Sequence, residues 1–545
     1  MDRHRPDDRV AELIDIYSDP AGICLADALC DGHDPDRIAF RLMRGIDAHD
    51  ISYGELSQRS ERIAAAMAAR GLGPGSRVAT LMGKSRELLA TLVAIWRLGA
   101  VHVPLFTAFA PDGIALRLAG ADVDAVFCDA GQRMKLDART LGAVGKTVLL
   151  VTLGDGEADD PAVPWSSLAS SDAPCPPRHV HRPDDPVICI FTSGTTGNPK
   201  GVELPAKGLA SLHAYAEFGL GIEPDDIFWC AADPGWAYGL YYAIVAPMLL
   251  GHRAILLEGG FDAETTIAIL KQEKVSNFAA APTVYRALRA CDKVAPGQLR
   301  LTKLSSAGEP LTPDLNDWAP SALGGIILDH YGQTESGMIV NNHHHPTLRE
   351  VPKAGSMGIA MPGWRVAIVN ENMFAPLGPD EVGMLVVDRE ASPLAWFGGY
   401  LGDPGQSAAK FSPDGRWYHT GDTARMDADG RIFFSARADD VILMAGYRIG
   451  PFEIESTLNE HPLVQNSAAI GVADELRGER LEAFVVLVEG TAASGALAAE
   501  LQSWVKQRYA AHAYPRAIHF ADALPMTPSG KVQRHKLRER LSQAG

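Results

Sequence analysis

The sequence predicts an α/β protein in two parts. A large N-terminal domain of layered sheets and helices, with a β-rich subdomain, spans residues 1–438, and a small α+β domain spans residues 439–545. Three observations predict this. From about residue 50 to 260, apolar β-rich runs alternate with helical patterns, the signature of parallel α/β layers. From about 350 to 435 the pattern changes to short strands between Gly, Pro and Asp turns. Near Arg437-Ala438-Asp439-Asp440 it changes again, and a mixed strand–helix pattern runs to the end.

The elements follow in order. Residues 87–98 read as a helix ended by Gly99. Residues 101–104, 123–127 and 145–151 read as strands, and 154–185, rich in Asp, Pro and Ser, as a connection. The apolar run 186–190 reads as a buried strand. Residues 325–328 read as another. Beyond the expected boundary at Asp439 come a helix at 451–458, strands at 467–472 and 483–488, and a helix around 498–509.

Composition narrows the function. Apolar residues are 46% and charged residues 21%, ordinary for a globular enzyme. No run of 18 apolar residues appears, so no membrane span is expected. The polar N-terminus lacks a signal-peptide core, and seven scattered cysteines form no Cys-x-x-Cys pair. These features point to reduced thiols and a cytoplasmic location, and away from a zinc site. A net charge of −17 disfavours nucleic acid as a partner. His343-His344-His345 reads as a surface or pocket-rim loop, because three adjacent histidines do not easily face one ion.

The chemistry concentrates in six motifs. Phe191-Thr192-Ser193-Gly194-Thr195-Thr196-Gly197-Asn198-Pro199-Lys200-Gly201 follows the strand at 186–190. Its glycines let backbone N–H groups approach an anion, its hydroxyls donate, and Lys200 adds a positive charge. The spacing is not that of a Walker loop. Ser306-Ala307-Gly308-Glu309-Pro310 places a glycine where a flat ring could approach. Asp329-His330-Tyr331-Gly332-Gln333-Thr334-Glu335 offers an aromatic face, a hydroxyl and a hard oxygen ligand for magnesium. Tyr418-His419-Thr420-Gly421-Asp422 reads as a turn with a carboxylate that can accept both ribose hydroxyls. Ala436-Arg437-Ala438-Asp439 leads into Gly446-Tyr447-Arg448-Ile449-Gly450-Pro451. Near the end, Pro525-Met526-Thr527-Pro528-Ser529-Gly530-Lys531 puts a lysine on a Pro/Gly-rich loop.

Together, in this order, the motifs resemble the adenylate-forming superfamily over nearly the whole chain, and within it the short- and medium-chain acyl-CoA synthetases. The resemblance implies a mobile C-terminal domain and a two-step reaction. A carboxylate attacks the α-phosphate of ATP, giving acyl-adenylate and pyrophosphate, and a thiol then takes the acyl group. It further implies that Thr192, Ser193, Gly194, Thr195, Thr196, Gly197 and Lys200 hold the β- and γ-phosphates. Thr334 and Glu335 would meet the α-phosphate and magnesium, with Thr196 as a second metal contact. The adenine slot would comprise Gly308, Glu309, Pro310 and Tyr331, within a nucleotide-contacting run of Asp329, His330, Gly332 and Gln333. Asp422 and Arg437 would hold the ribose. Lys531 would bridge carboxylate and α-phosphate. Asp439 matches the hinge, and rotation there would exchange Lys531 for Gly446 and Arg448. Ala436 and Met444-Ala445 depart from the usual family residues at positions without a catalytic role.

The resemblance places the acyl pocket at Trp236, Ala237, Tyr238, Ala307 and Gly332. Acetate-specific relatives carry tryptophan at the Gly332 position, so Gly332 is expected to open the floor, and Tyr238 to narrow or redirect the space. A short- to medium-chain aliphatic acid, branched forms included, is the expected substrate; an aryl acid is the alternative. No carrier domain follows Arg534, so coenzyme A is the expected acceptor ahead of a carrier protein. A silent nucleotide-binding or luciferase-like protein is the contrasting class, disfavoured by the presence of Glu335 and Lys531. The expected partners are the acid, ATP and coenzyme A, with a homodimer as the candidate assembly. A lysine acyltransferase acting on Lys531 is a candidate regulator, because residues 525–531 fit the Pro-x4-Gly-Lys pattern such enzymes modify.

Overall fold

The computed structural model describes residues 5–154, 161–192, 199–291, 293–370, 374–437, 440–444, 447–474, 478–509, 513–526 and 532–544. Two large sheets dominate the N-terminal part. One has seven strands, ordered Val163–Pro164, Leu149–Leu153, Ala125–Asp129, Arg77–Leu81, Val101–Pro104, Pro186–Thr192 and Lys200–Pro205. Its members pair in parallel except for the last, which folds back antiparallel on Pro186–Thr192. The other has nine strands, with a parallel centre running through Phe228–Cys230, Asn277–Ala280, Lys303–Ala307 and Ile327–Gln333.

The helix Arg86–Arg97 shows why these layers form. Ser85 caps it by accepting from the Leu88 N–H, and Leu88 through Arg97 are all buried. A helix buried all round belongs between sheets rather than on a surface. Its last arginine, Arg97, is neutralised by a two-pronged pair to Asp31, at 2.7 Å on each arm. The apolar residues around it join the main core, which also takes in Phe40, Phe127, Tyr215 and Tyr242.

A four-stranded antiparallel sheet follows: Val366–Val369, Gly383–Asp388, Trp417–Met426 and Ile432–Arg437. This is the β-rich stretch expected between 350 and 435. Sheet membership then changes between Arg437 and Ile442. The C-terminal strands Ile442–Met444, Tyr447–Ile449, Val464–Asp474, Gly478–Leu487 and Ala517–Phe520 form their own sheet, flanked by the helices Pro451–Asn459 and Gly495–Arg508. Arg534 stitches this unit together. It pairs with Glu455 at 2.7 Å and with Asp440, the residue after the expected hinge, at 3.1 Å.

Three local expectations need correction. The strand expected at 145–151 is Leu149–Leu153, because pairing to Ala125–Asp129 begins only at Leu149. The Thr-Gly-Asp segment is not a turn: it lies inside the strand Trp417–Met426, at an irregularity in its pairing with Gly383–Asp388. Gly421 adopts φ +82°, which lets the strand bulge and aim Asp422 into the site. The histidine run is not a surface loop either. His343 and His344 are 2% and 4% exposed, and burial pushes His344 down to about 3.

Candidate active site

The site gathers at the carboxyl ends of parallel strands, where open α/β sheets bind ligands. Thr192 and Lys200 are Cα partners across the base of the glycine-rich loop. Residues 193–198 of that loop lie outside the described residues, as do Asp439, Gly446 and Lys531. Arg448 sits on the strand Tyr447–Ile449. Lys200 donates to Gln406 Oε1 at 2.9 Å, with its ammonium 5.1 Å from the Tyr400 ring centroid.

Asp422 is the hub of the site. It is 7% exposed and faces Arg437 across the strand pair. Tyr331 donates to its Oδ2 at 2.5 Å and Gln333 Nε2 donates to the same oxygen at 2.7 Å. Gln333 is held in turn, since its Oε1 accepts from Tyr418 at 2.8 Å. The other carboxylate of the motif, Glu335, is 8% exposed and accepts from Tyr400 at 2.8 Å. That leaves acceptor capacity on Glu335 for a further ligand. Thr334 stands in the turn between the strands Ile327–Gln333 and Gly337–Asn341.

The adenine-slot residues separate by role. Gly308 ends its strand at φ +95°, and a Cβ built there would meet nothing within 4 Å, so the space beside it is open. Pro310 is half-buried in the same loop. Glu309, however, turns away: its carboxylate accepts from Thr283 at 2.5 Å and Arg286 at 2.8 Å, bracing the loop against the helix Pro282–Ala290. Asp329 is buried and accepts from the Leu311 backbone N–H. Burial pushes it up to about 8, so it is a neutral acid at pH 7.

One residue of this group has no motif pointing to it. Lys410 lies 3.3 Å from the carbonyl oxygens of His419 and Thr420, where it donates. Glu335, Asp422, Arg437 and Lys200 all act on it electrostatically, and burial holds its ammonium below the ordinary lysine range. It is a half-desolvated cation among the nucleotide-side carboxylates. A lysine eleven residues ahead of Gly421 is the only sequence signal for it.

The acyl residues converge only in part. Ala307 pairs with His330 across the sheet, and Gly332 pairs with Met338. Tyr238 reaches the same place through its ring contact with Tyr242, whose hydroxyl accepts from Met338 N–H. Ala237 starts the short helical turn Ala237–Gly239 beside it. Trp236 instead packs on Phe106 and Phe109, with centroids 5.3 Å and 5.4 Å away. Gly332 also changes meaning. A Cβ there would stand 2.2 Å from the Gly337 carbonyl oxygen and 2.6 Å from Met338 Cα. The absent side chain is thus required by a tight strand crossing and does not vacate floor space.

A lysine at the base of the glycine-rich segment, a carboxylate hub and an open glycine edge fit a nucleotide. The description "AMP-binding enzyme" matches residues 30–401, and "AMP-binding enzyme C-terminal domain" matches 453–531. The chain belongs to the AMP-binding enzymes. Acetyl-coenzyme A synthetase of Bacillus subtilis is 32% identical, over 89% of this chain and 84% of that protein. The crystal structure of an acyl-CoA synthetase from Brucella canis is 40% identical, with a TM-score of 0.76 and all of both chains covered. A benzoate CoA ligase from Burkholderia xenovorans LB400 is 27% identical, with a TM-score of 0.79, covering 97% of this chain and 99% of that one. This AMP-binding enzyme is therefore an AMP-forming acid–CoA ligase using ATP, Mg2+ and coenzyme A. Among the described residues, no helix is long and apolar enough to cross a membrane.

Proposed function

We propose that this ligase adenylates a short- to medium-chain aliphatic acid, branched forms included, and passes the acyl group to coenzyme A. In the first step a carboxylate oxygen of the acid attacks the α-phosphorus, and the bond to pyrophosphate breaks. Two anions must be brought together for this, so the chain's work is alignment and charge compensation. Asp422 would accept from the ribose hydroxyls, its carboxylate fixed by Tyr331 and Gln333. Glu335, steadied by Tyr400, is positioned to hold magnesium, which when bound supplies neutralising charge on the phosphates. Lys200 and Lys410 flank the same space with positive charge. Lys531 enters for adenylation, and rotation about Asp439 replaces it with Gly446 and Arg448 for thioester formation.

The observation that carries the acid class is the wall beside this hub. Ala307 contributes only a methyl group, and Tyr238, Tyr242 and Met338 close the space with apolar and neutral polar surface. None of these wall side chains is charged. Pyrophosphate release measured across acetate to octanoate, branched acids and benzoates tests the reading. Highest kcat/KM is expected between propionate and octanoate. A maximum at a benzoate would make the aryl-acid reading correct instead.

A further inference from the structure

A chain of three buried groups gives the acyl wall a fixed polarity. His330 Nε2 lies 2.7 Å from the carbonyl oxygen of Asn342. A carbonyl only accepts, so the ring proton sits on Nε2. Burial keeps His330 neutral, well below its ordinary value, and Nδ1 is then an acceptor. The Tyr215 hydroxyl, 2.7 Å from Nδ1, must therefore donate to it. That uses its one proton. At its 3.0 Å contact with the Tyr238 hydroxyl, Tyr215 can only accept, so Tyr238 donates inward.

The consequence falls on the outward side of Tyr238. Tyr215 is fully buried, whereas Tyr238 is half-buried at the head of the turn Ala237–Gly239. Among the described residues, no other group donates to the Tyr238 oxygen. It thus presents lone pairs and no proton to whatever lies beside it. A keto or ether oxygen placed there would meet lone pair against lone pair. A hydroxyl or N–H would complete the chain.

We propose that Tyr238 selects carboxylic acids carrying a hydroxyl or N–H donor beyond the carboxylate, its oxygen accepting that proton. This rests on the reading that Tyr238 walls the acyl pocket of an aliphatic-acid ligase. Tyr215 and His330 are positioning residues: they never touch the acid, and they act by spending the proton Tyr238 would otherwise offer.

The test uses the full-length enzyme with ATP, magnesium and coenzyme A. It compares γ-hydroxyvalerate, its keto counterpart levulinate, and valerate. For the wild type, kcat/KM for the hydroxy acid should exceed that for levulinate by about tenfold, the worth of one well-made hydrogen bond at a desolvated site. The difference should lie mainly in KM. In Tyr238→Phe the ratio should fall to within about twofold. In Tyr215→Phe the Tyr238 proton is released, and the ratio should move toward levulinate, which loss of structure alone would not produce. Levulinate equal to or better than the hydroxy acid in the wild type overturns the inference, as does an unchanged ratio in Tyr238→Phe. If benzoate is turned over and valerate is not, the aliphatic reading fails separately. The donor rule is then judged on hydroxybenzoate against methoxybenzoate, with the same expected ratio. If no acid is turned over, both fall.

Discussion

The nucleotide side and the acyl side of this site are built on opposite electrostatic terms. On the nucleotide side, charges converge from distant segments: Asp422, Glu335, Arg437, Lys200 and Lys410 share one neighbourhood, and hydroxyls of Tyr331, Tyr400 and Tyr418 hold them in place. On the acyl side the wall residues Ala307, Tyr238, Tyr242 and Met338 are uncharged, and the ion pair of Lys84 with Asp233, at 3.9 Å, stands five residues before Tyr238 in the chain. Neutral groups, Tyr238, Tyr215 and His330, donate hydrogen bonds one to the next in a fixed direction. The difference follows from what each side must do. A triphosphate needs countercharge that is already oriented. A small acid must be distinguished from other small acids, and an oriented acceptor discriminates where a bare apolar wall gains little per methylene.

The largest expected break in the comparison is on the charged side. Lys531→Ala should lower adenylation, read as pyrophosphate release, by about a thousandfold, in line with losing a donor that acts on developing charge. Thioester formation from supplied acyl-adenylate should survive; equal loss of both steps would refute its role. Lys410→Met should come next, with kcat/KM for ATP down by about ten- to a hundredfold and little change in KM for the acid. The sign of its pH dependence is fixed by burial. Lys410 titrates below an ordinary lysine, so its charge is lost earlier as pH rises. Activity should therefore fall on the alkaline side, and Lys410→Arg, which stays charged, should carry that limb to higher pH. An alkaline limb that ignores both variants would remove Lys410 from the site.

A smaller effect is expected from Gly332→Ala on the neutral side. The added methyl collides with Gly337 and Met338 backbone, which cannot yield as a side-chain tip would. Stability should drop by about 1–3 kcal/mol, and activity should fall for every acid alike. A clean shift toward acetate would restore the idea that this position is an open floor. The structure makes Ala307 the better place to shorten the pocket.

How far the sequence reveals each side differs for the same reason. Tyr331, Gln333, Glu335 and Asp422 lie in short motifs whose residue types state their chemistry. So do the two parallel sheets, because buried parallel strands read as apolar runs between helical patterns. His330 and Tyr238 each lie in a segment the sequence singles out, but Tyr215, which joins them into a relay, lies in no motif. The members of the relay stand 23 and 115 residues apart and meet only through packing. Lys410 likewise meets the site through the carbonyls of His419 and Thr420, beside the strand irregularity at Gly421 that looks in sequence like a hairpin turn. Glu309 shows the converse error. It sits in a motif, yet Arg286 on a neighbouring helix claims its carboxylate.

Asp329 lies on the border between the two sides and gives the finest test of where the charged region ends. Buried and pushed up to about 8 from an ordinary 3.8, it keeps a proton in the folded state that the unfolded chain releases. Between about pH 4 and pH 8 the folded state binds more protons, so stability must fall as pH rises through that window and level off above it. Asp329→Asn mimics the protonated acid and should remove this slope. At pH 4 the two proteins should melt alike or the wild type slightly higher; by pH 8.5 the variant should melt several degrees above it. Parallel melting curves across that range would mean that Asp329 is ionised and paired in the folded enzyme, and that the countercharges of the nucleotide side reach one strand residue further than the buried acid allows.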